Sequence, residues 1–169
     1  MRRLALIVVA ISALAAPAAA LALKASPGDG TLVVKKGEAP KNVPVVQLTI
    51  TGSVIGEVKD AGRIVIDAGA KGPVPEVSGA GAGHDVSPKD TAQWWASNDG
   101  FKFRAVGGTF TILVYGSGVN LFAVGQGTVV LAGQPDTPSG DGSYYLNGAV
   151  DPKSLPGTPS KQLTIGTSG

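Results

Sequence analysis

Apolar residues recur at every second position over short spans of this chain. In 45–51, Val46, Leu48 and Ile50 alternate with Gln47, Thr49 and Thr51, and in 101–106 Phe101 and Phe103 alternate with Lys102 and Arg104. A period of two sends successive side chains to opposite faces of a pleated strand, one set to the core and one to water. On this pattern strands are predicted over 31–36, 45–51, 53–58, 63–67, 101–106, 109–115, 119–124, 128–132, 143–147 and 161–165. In 109–115 the inward set is Phe110, Ile112 and Val114. Leu113 and Tyr115 make its other face apolar as well, which suits a central strand.

Glycines punctuate these runs, at Gly52, Gly62, Gly107, Gly108, Gly116, Gly118, Gly125, Gly127 and Gly148. Gly takes the backbone conformations of tight hairpins, so each is read as a turn. The expected fold is all-β: an antiparallel sandwich or partly open barrel of about eight to ten short strands. Residues 46–67 and 110–132 align once Gly118 is skipped, pairing Gly52 with Gly116 and Gly62 with Gly127. Each reads as a three-stranded meander. Duplication explains the likeness, and so does shared composition. Residues 90–97 form either a short helix or, over 91–97, one arm of a hairpin with 101–106 across Asn98-Asp99-Gly100; the hairpin is preferred. Residues 68–89 lack a strand pattern, are dense in Gly, Ala and Pro, and read as a flexible loop.

The start of the chain breaks the pattern. Arg2 and Arg3 precede an uncharged apolar run, 4–14, followed by small residues, 15–22, interrupted by Pro17. This is the layout of a signal-peptide helix cleaved after Ala22, leaving one domain over 23–169 and an exported protein, secreted or held at the cell envelope. An anchor retained in the membrane is the competing reading; Pro17 and the alanines weaken it.

Removing that segment changes the charge argument. The full chain carries 14 basic and 12 acidic residues; without Arg2 and Arg3 the count is 12 against 12. Nothing then points to nucleic acid, and a membrane partner is expected only through an uncleaved signal segment. With no cysteine, thiol catalysis, thiolate zinc sites and disulfides are excluded.

Residues 101–133, with 140–148 and the Leu155-Pro156 that precedes Gln162-Leu163-Thr164-Ile165-Gly166, resemble uncharacterised exported β-rich proteins of high-GC actinobacteria. The resemblance spans about 94–166. It implies export and a β fold, and no activity.

Candidate chemistry is sparse. His84 is the sole histidine. Asp85 and Ser87 adjoin it in sequence, but triad members converge from separate elements, so a solvated loop histidine is expected. The segment Asp136–Asp141 (DTPSGD) lacks the ligand spacing of a calcium loop and reads as a turn. Leu155-Pro156-Gly157-Thr158-Pro159 departs from a sortase signal at its last position and reads as a loop. No metal, cofactor or catalytic site is expected. The remaining candidates are aromatic pairs, Trp94-Trp95 and Tyr144-Tyr145. In a strand, one ring of each pair faces the core and the other is free for contact. The expectation is a non-enzymatic domain with a structural or protein-interaction role; the alternative is a carbohydrate- or cell-wall-binding module using those rings. The partner is an unknown protein or a cell-wall polysaccharide.

Overall fold

In the computed structural model residues 26–84, 91–135 and 142–167 are described. The expected signal segment 1–22, the Asp85 and Ser87 neighbours of His84, and the segment 136–141 lie outside them. Among the described residues the chain is all-β, with no helix. Its strands are β1 (Gly30–Gly37), β2 (Val46–Val58), β3 (Gly62–Asp67), β4 (Glu76–Ser78), β5 (Gly81–His84), β6 (Ala92–Ser97), β7 (Phe101–Gly116), β8 (Val119–Leu131), β9 (Ser143–Leu146), β10 (Lys153–Ser154) and β11 (Leu163–Ile165). They form one sheet in the order β10-β9-β1-β8-β2-β7-β3-β6-β5, with β11 against β8 and β4 against β7. Every pairing is antiparallel. Among the described residues β10 and β5 end the order without pairing to each other, so the sheet is not closed.

Three strands are far longer than the alternation predicted. The spans 45–51 and 53–58 merge into β2, 101–106 and 109–115 into β7, and 119–124 and 128–132 into β8. Gly52, Gly107, Gly108, Gly125 and Gly127 are therefore not turns. Gly52 lies inside β2, paired with Gly108 on one side and Gly125 on the other. A Cβ on Gly52 would stand 2.2 Å from the Val124 carbonyl oxygen, and one on Gly125 2.2 Å from that of Thr51. No side chain fits such an approach, so glycine alone lets the long strands bend together here.

The bend is large. A straight 13-residue strand spans about 40 Å. Yet Val46, at the start of β2, pairs with Val114, while a Cβ on nearby Gly116 would lie 3.0 Å from the side chain of Val58, at the end of β2. The two ends of β2 thus come together, and the sheet folds back along its glycine row. Opposite that row run three short connections, 59–61, 98–100 and 117–118. A Cβ on Gly118 would approach the Lys59 Cβ to 2.9 Å, and one on Gly100 the Lys59 carbonyl oxygen to 2.5 Å. One half of the sheet holds β3, β5, β6, β11 and the 46–51, 109–116 and 126–131 parts of the long strands. The other holds β1, β4, β9, β10 and 53–58, 101–106 and 119–124.

β7 carries one residue more than β2 at the bend. Gly107 is that bulge, at φ +72°, between the pairs Gly52–Gly108 and Ser53–Val106. It shifts the inward set from Phe101, Phe103 and Ala105 to Phe110, Ile112 and Val114. One buried cluster draws on both halves of the sheet, with Leu48, Ile50 and Ile112 from one and Leu32, Val54 and Phe103 from the other.

Other expectations change with the long strands. The segments 46–67 and 110–132 are not equivalent meanders, because Gly52 is mid-strand where its aligned partner Gly116 ends β7. Residues 92–97 form a strand, but β6 pairs with β3 and β5 rather than making a hairpin with 101–106. The segment 68–89 contributes β4 and β5: its small residues carry no alternation, and the edges of β7 and β6 supply the pairing instead. The Leu155–Pro159 loop is tied down, with buried Leu155, a Gly133 N–H donating to the Pro156 carbonyl (2.7 Å) and a Ser160 N–H donating to that of Leu131 (2.8 Å).

At the end of β3 the Asp67 carboxylate accepts hydrogen bonds from the Thr91 hydroxyl and from the Gly69 N–H (2.8 Å). These two bonds, the Thr91 one foremost, hold its pKa below the ordinary carboxylate value. A depressed folded-state pKa stabilises the fold above the unfolded-state pKa, and the contribution fades as the pH falls through the lowered value. Thr91→Val should therefore move acid unfolding to slightly higher pH, at a cost of about 0.5 kcal/mol or less at neutral pH because the site is open to solvent. Tryptophan fluorescence followed from pH 6 to 2 measures it; an unchanged midpoint would show that the Thr91 bond is not made in solution.

Candidate functional site

Strand order brings together, on the solvent side of the second half-sheet, residues far apart in sequence. Val33 of β1 pairs with Phe122 of β8, Phe122 with Ile55 of β2, and Ile55 with Arg104 of β7; on the other flank Val33 pairs with Tyr145 of β9. Directly paired residues share a face. The result is a cross-strand row, Tyr145–Val33–Phe122–Ile55–Arg104, in which four members are apolar or aromatic and all are half-buried. The outward face of a strand open to water is usually polar, so four such residues in a line mark this surface out.

A polar edge runs beside the row, toward the three short connections. Lys35, Lys36, Lys59 and Lys102 are exposed there, with Asn120 and Glu57 between them. Together with Val33, Ile55 and Phe122 they line an open trough of about 590 Å³. Asn120 organises this edge. Its side-chain amide donates to Glu57 Oε1 (3.1 Å) and to the Gly118 carbonyl (3.2 Å), and its Oδ1 accepts from the Lys36 N–H (3.0 Å). Lys59 Nζ lies 3.9 Å from Glu57 Oε1.

The β1 backbone is distorted at the same place. Pairing with β8 skips from Val34–Leu121 to Gly37–Val119, so that Lys35 and Lys36 bulge from the strand. Lys36 has φ +53°, a left-handed conformation that costs a residue with a Cβ about 1 kcal/mol or more. Asn120 holds the bulge in place. Lys35 in turn sets its ammonium 5.2 Å from the centroid of the Tyr145 ring. At the far end of the row Arg104 Nη1 stands 4.0 Å from Glu76 Oε2, while its Nε is covered and has no hydrogen-bond acceptor.

The four aromatic residues singled out by sequence fall in two separate places. Trp95 is buried in the core opposite Ile64, and Tyr144 packs against the core beside Val34. Trp94 faces outward on the first half-sheet, next to Val65, whose other neighbour is Leu113. Tyr145 faces outward on the second and ends the row described above. Five strands, β1, β8, β2, β7 and β3, separate the two pairs, so the outward rings share no groove. The main chain of His84 lies in β5 opposite Gln93. Among the described residues no three His, Cys, Asp or Glu side chains gather as a metal site would need.

Sequence reading missed Val33, Ile55 and Phe122, although a signal was present. In 119–124 the inward set is Val119, Leu121 and Ala123, which leaves Phe122 as a large apolar residue out of phase. Ile55 stands out in the same way between Val54 and Gly56. Only the order β1-β8-β2, which joins strands not consecutive in sequence, shows that the out-of-phase residues touch one another. Compared with protein-family models, with curated proteins and with solved structures, the chain matches none.

Proposed function

We propose that this chain is an exported, non-enzymatic β scaffold of sandwich type that acts by contact with another protein, at the cell envelope or outside the cell. The observation that carries the reading is the row Tyr145–Val33–Phe122–Ile55 on the solvent side of the sheet. Apolar and aromatic side chains held on rigid strands offer contact area at little entropic cost, as the centre of a protein interface requires. The polar groups beside them suit binding rather than chemistry: they are ammonium groups, one amide and one carboxylate already engaged by Asn120 and Lys59. A sandwich is supported by the folded-back long strands and by the single core they share.

Photo-crosslinking tests the reading. A benzophenone side chain at position 122 should yield a discrete protein adduct in the producing cell, and one at position 49, on the opposite face, should not. Absence of any adduct at 122 would end the proposal. Phe122→Ser should abolish the contact while lowering stability by about 1–2 kcal/mol, since the residue is only partly buried in the folded state. Thermal melts of the two proteins check the second part. The carbohydrate reading draws on Trp94 and Tyr145, but their separation by five strands leaves each ring to act alone. Fluorescence titration of the chain with peptidoglycan or soluble glycans would revive it by showing a saturable response.

A further inference from the structure

Resting on the contact role just proposed, we infer that the trough takes an acidic segment of the partner protein, one that also carries an aromatic or branched apolar side chain. Charge supports the first half of this. Four lysines rim the trough against one glutamate, although basic and acidic residues balance at 12 each once Arg2 and Arg3 are set aside. A third of those basic residues therefore stand at this one trough, where a single acidic residue joins them. Glu57, bonded to Asn120 and 3.9 Å from Lys59, offsets one of these charges and leaves Lys35, Lys36 and Lys102 without a carboxylate among the trough's lining residues. Arg104 adds to the field. Its contact with exposed Glu76, at 4.0 Å, is longer than a charge-assisted hydrogen bond, so a better placed carboxylate can displace Glu76.

Depth supports the second half. Val33, Ile55 and Phe122 are half-buried, whereas the four lysines around them are exposed. The apolar floor therefore lies below the ammonium groups. A flat bilayer would need the reverse, apolar side chains that reach beyond the charged ones. An anionic polysaccharide would meet the lysines and stack a sugar face on a ring, but it carries no side chain to lower between Val33 and Ile55. An extended peptide satisfies both, with carboxylates at the rim and an apolar side chain lowered between them. The row crosses four strands from Tyr145 to Ile55, a length of about 14 Å. That corresponds to about four or five residues of extended chain. The bulge fits the same use: Lys36 is held in a strained backbone conformation by Asn120, which keeps two adjacent lysines raised at the rim.

The probes are three labelled polymers, a random copolymer of glutamate and tyrosine, polyglutamate, and a copolymer of lysine and tyrosine, together with phosphatidylglycerol vesicles. Binding to the full chain is read by fluorescence anisotropy and, for vesicles, by sedimentation. The glutamate–tyrosine copolymer should bind best, and its affinity should fall about tenfold from 50 to 300 mM salt as the lysine field is screened. Lys35→Glu with Lys102→Glu should weaken it by about tenfold or more. Phe122→Ser should reduce it to the level of polyglutamate, and Thr49→Glu on the opposite face should leave it unchanged. Equal binding of polyglutamate and the mixed copolymer, indifference to the lysine substitutions, or lysine-dependent binding of vesicles in place of the copolymer would each overturn the inference. The contact role itself fails differently. If position 122 still crosslinks to a protein after both lysines are reversed, contact stands and the acidic partner falls.

Discussion

Gly125→Ala should leave this protein unable to fold. The added Cβ would stand 2.2 Å from the Thr51 carbonyl oxygen and 2.9 Å from the Gly52 Cα, both backbone atoms of the neighbouring β2. Neither can swing aside as a side chain would. Relief requires β2 and β8 to separate at the bend, and with them the core residues on either side, Ile50, Val54, Ala123 and Val129. Overpacking with no rotamer to absorb it costs about 3 kcal/mol even where some relaxation is possible. Here relaxation opens the sheet, and a domain of ordinary stability, about 5–15 kcal/mol, has little margin for that. Gly107→Ala is the control. Gly107 also has a positive φ, +72°, but nothing lies within 4 Å of the position its Cβ would take. That change should cost only the left-handed backbone penalty, about 1–2 kcal/mol. Urea unfolding of the two variants separates close approach from backbone conformation. Similar midpoints would mean that the glycine row is not a tight crossing.

Ile112→Asp should be as severe. Ile112 is fully buried in β7, between Leu48 of β2 and Ile66 of β3, in a core with no polar partner at hand. An unpaired carboxylate there either ionises without solvation or takes up a proton, and the apolar contacts are lost in both cases; the sum exceeds about 4 kcal/mol. The outward neighbour calls for more care than alternation suggests. Thr111 is exposed, but it pairs with Asp67 across β3 as well as with Thr49 across β2. Thr111→Asp would set two carboxylates directly opposite, a repulsion of about 0.5 kcal/mol on an open sheet face. Thr49→Asp, with Thr111 and Thr128 as its neighbours, should be close to neutral. The expected order of midpoints is Thr49→Asp, then Thr111→Asp, with Ile112→Asp unfolded in water. Equal tolerance at 111 and 112 would show that the strand register is wrong.

Much of the strand content was legible because alternation is a local property. Val46, Leu48, Ile50, Val54 and Val58 keep a single parity through β2, with Gly52 and Gly56 in phase. The pattern therefore already described one long strand. Gly52 nevertheless reads as a break, because glycine in a β sequence is more often a turn, and local sequence does not distinguish a turn from a backbone crossing. That distinction depends on the carbonyl of Val124, which is 72 positions away. β7 differs. Its parity shifts at Gly107, so its two halves looked like separate strands until the bulge joined them.

The candidate site was half legible for a related reason. Adjacent rings on a strand point to opposite faces, so the sequence places one of Tyr144 and Tyr145 outward; the pairing of β9 with β1 makes it Tyr145. Val33, Ile55 and Phe122 passed as ordinary members of apolar strands, since one out-of-phase residue carries no message in isolation. They become a surface only where β8 lies between β1 and β2, a neighbourhood created by long-range pairing.

By itself, then, the sequence determined the all-β class, the inward sets of the main strands, the absence of any thiol chemistry and the outward direction of one ring in each aromatic pair. Periodicity, residue type and composition act over a few residues and need no partner. The tertiary structure alone decided that glycines serve as a fold line, that the halves of three long strands share one core, and that four outward residues from four strands stand together beneath a rim of lysines. Each of those depends on which strands become neighbours, and that is settled by burial of the whole core at once.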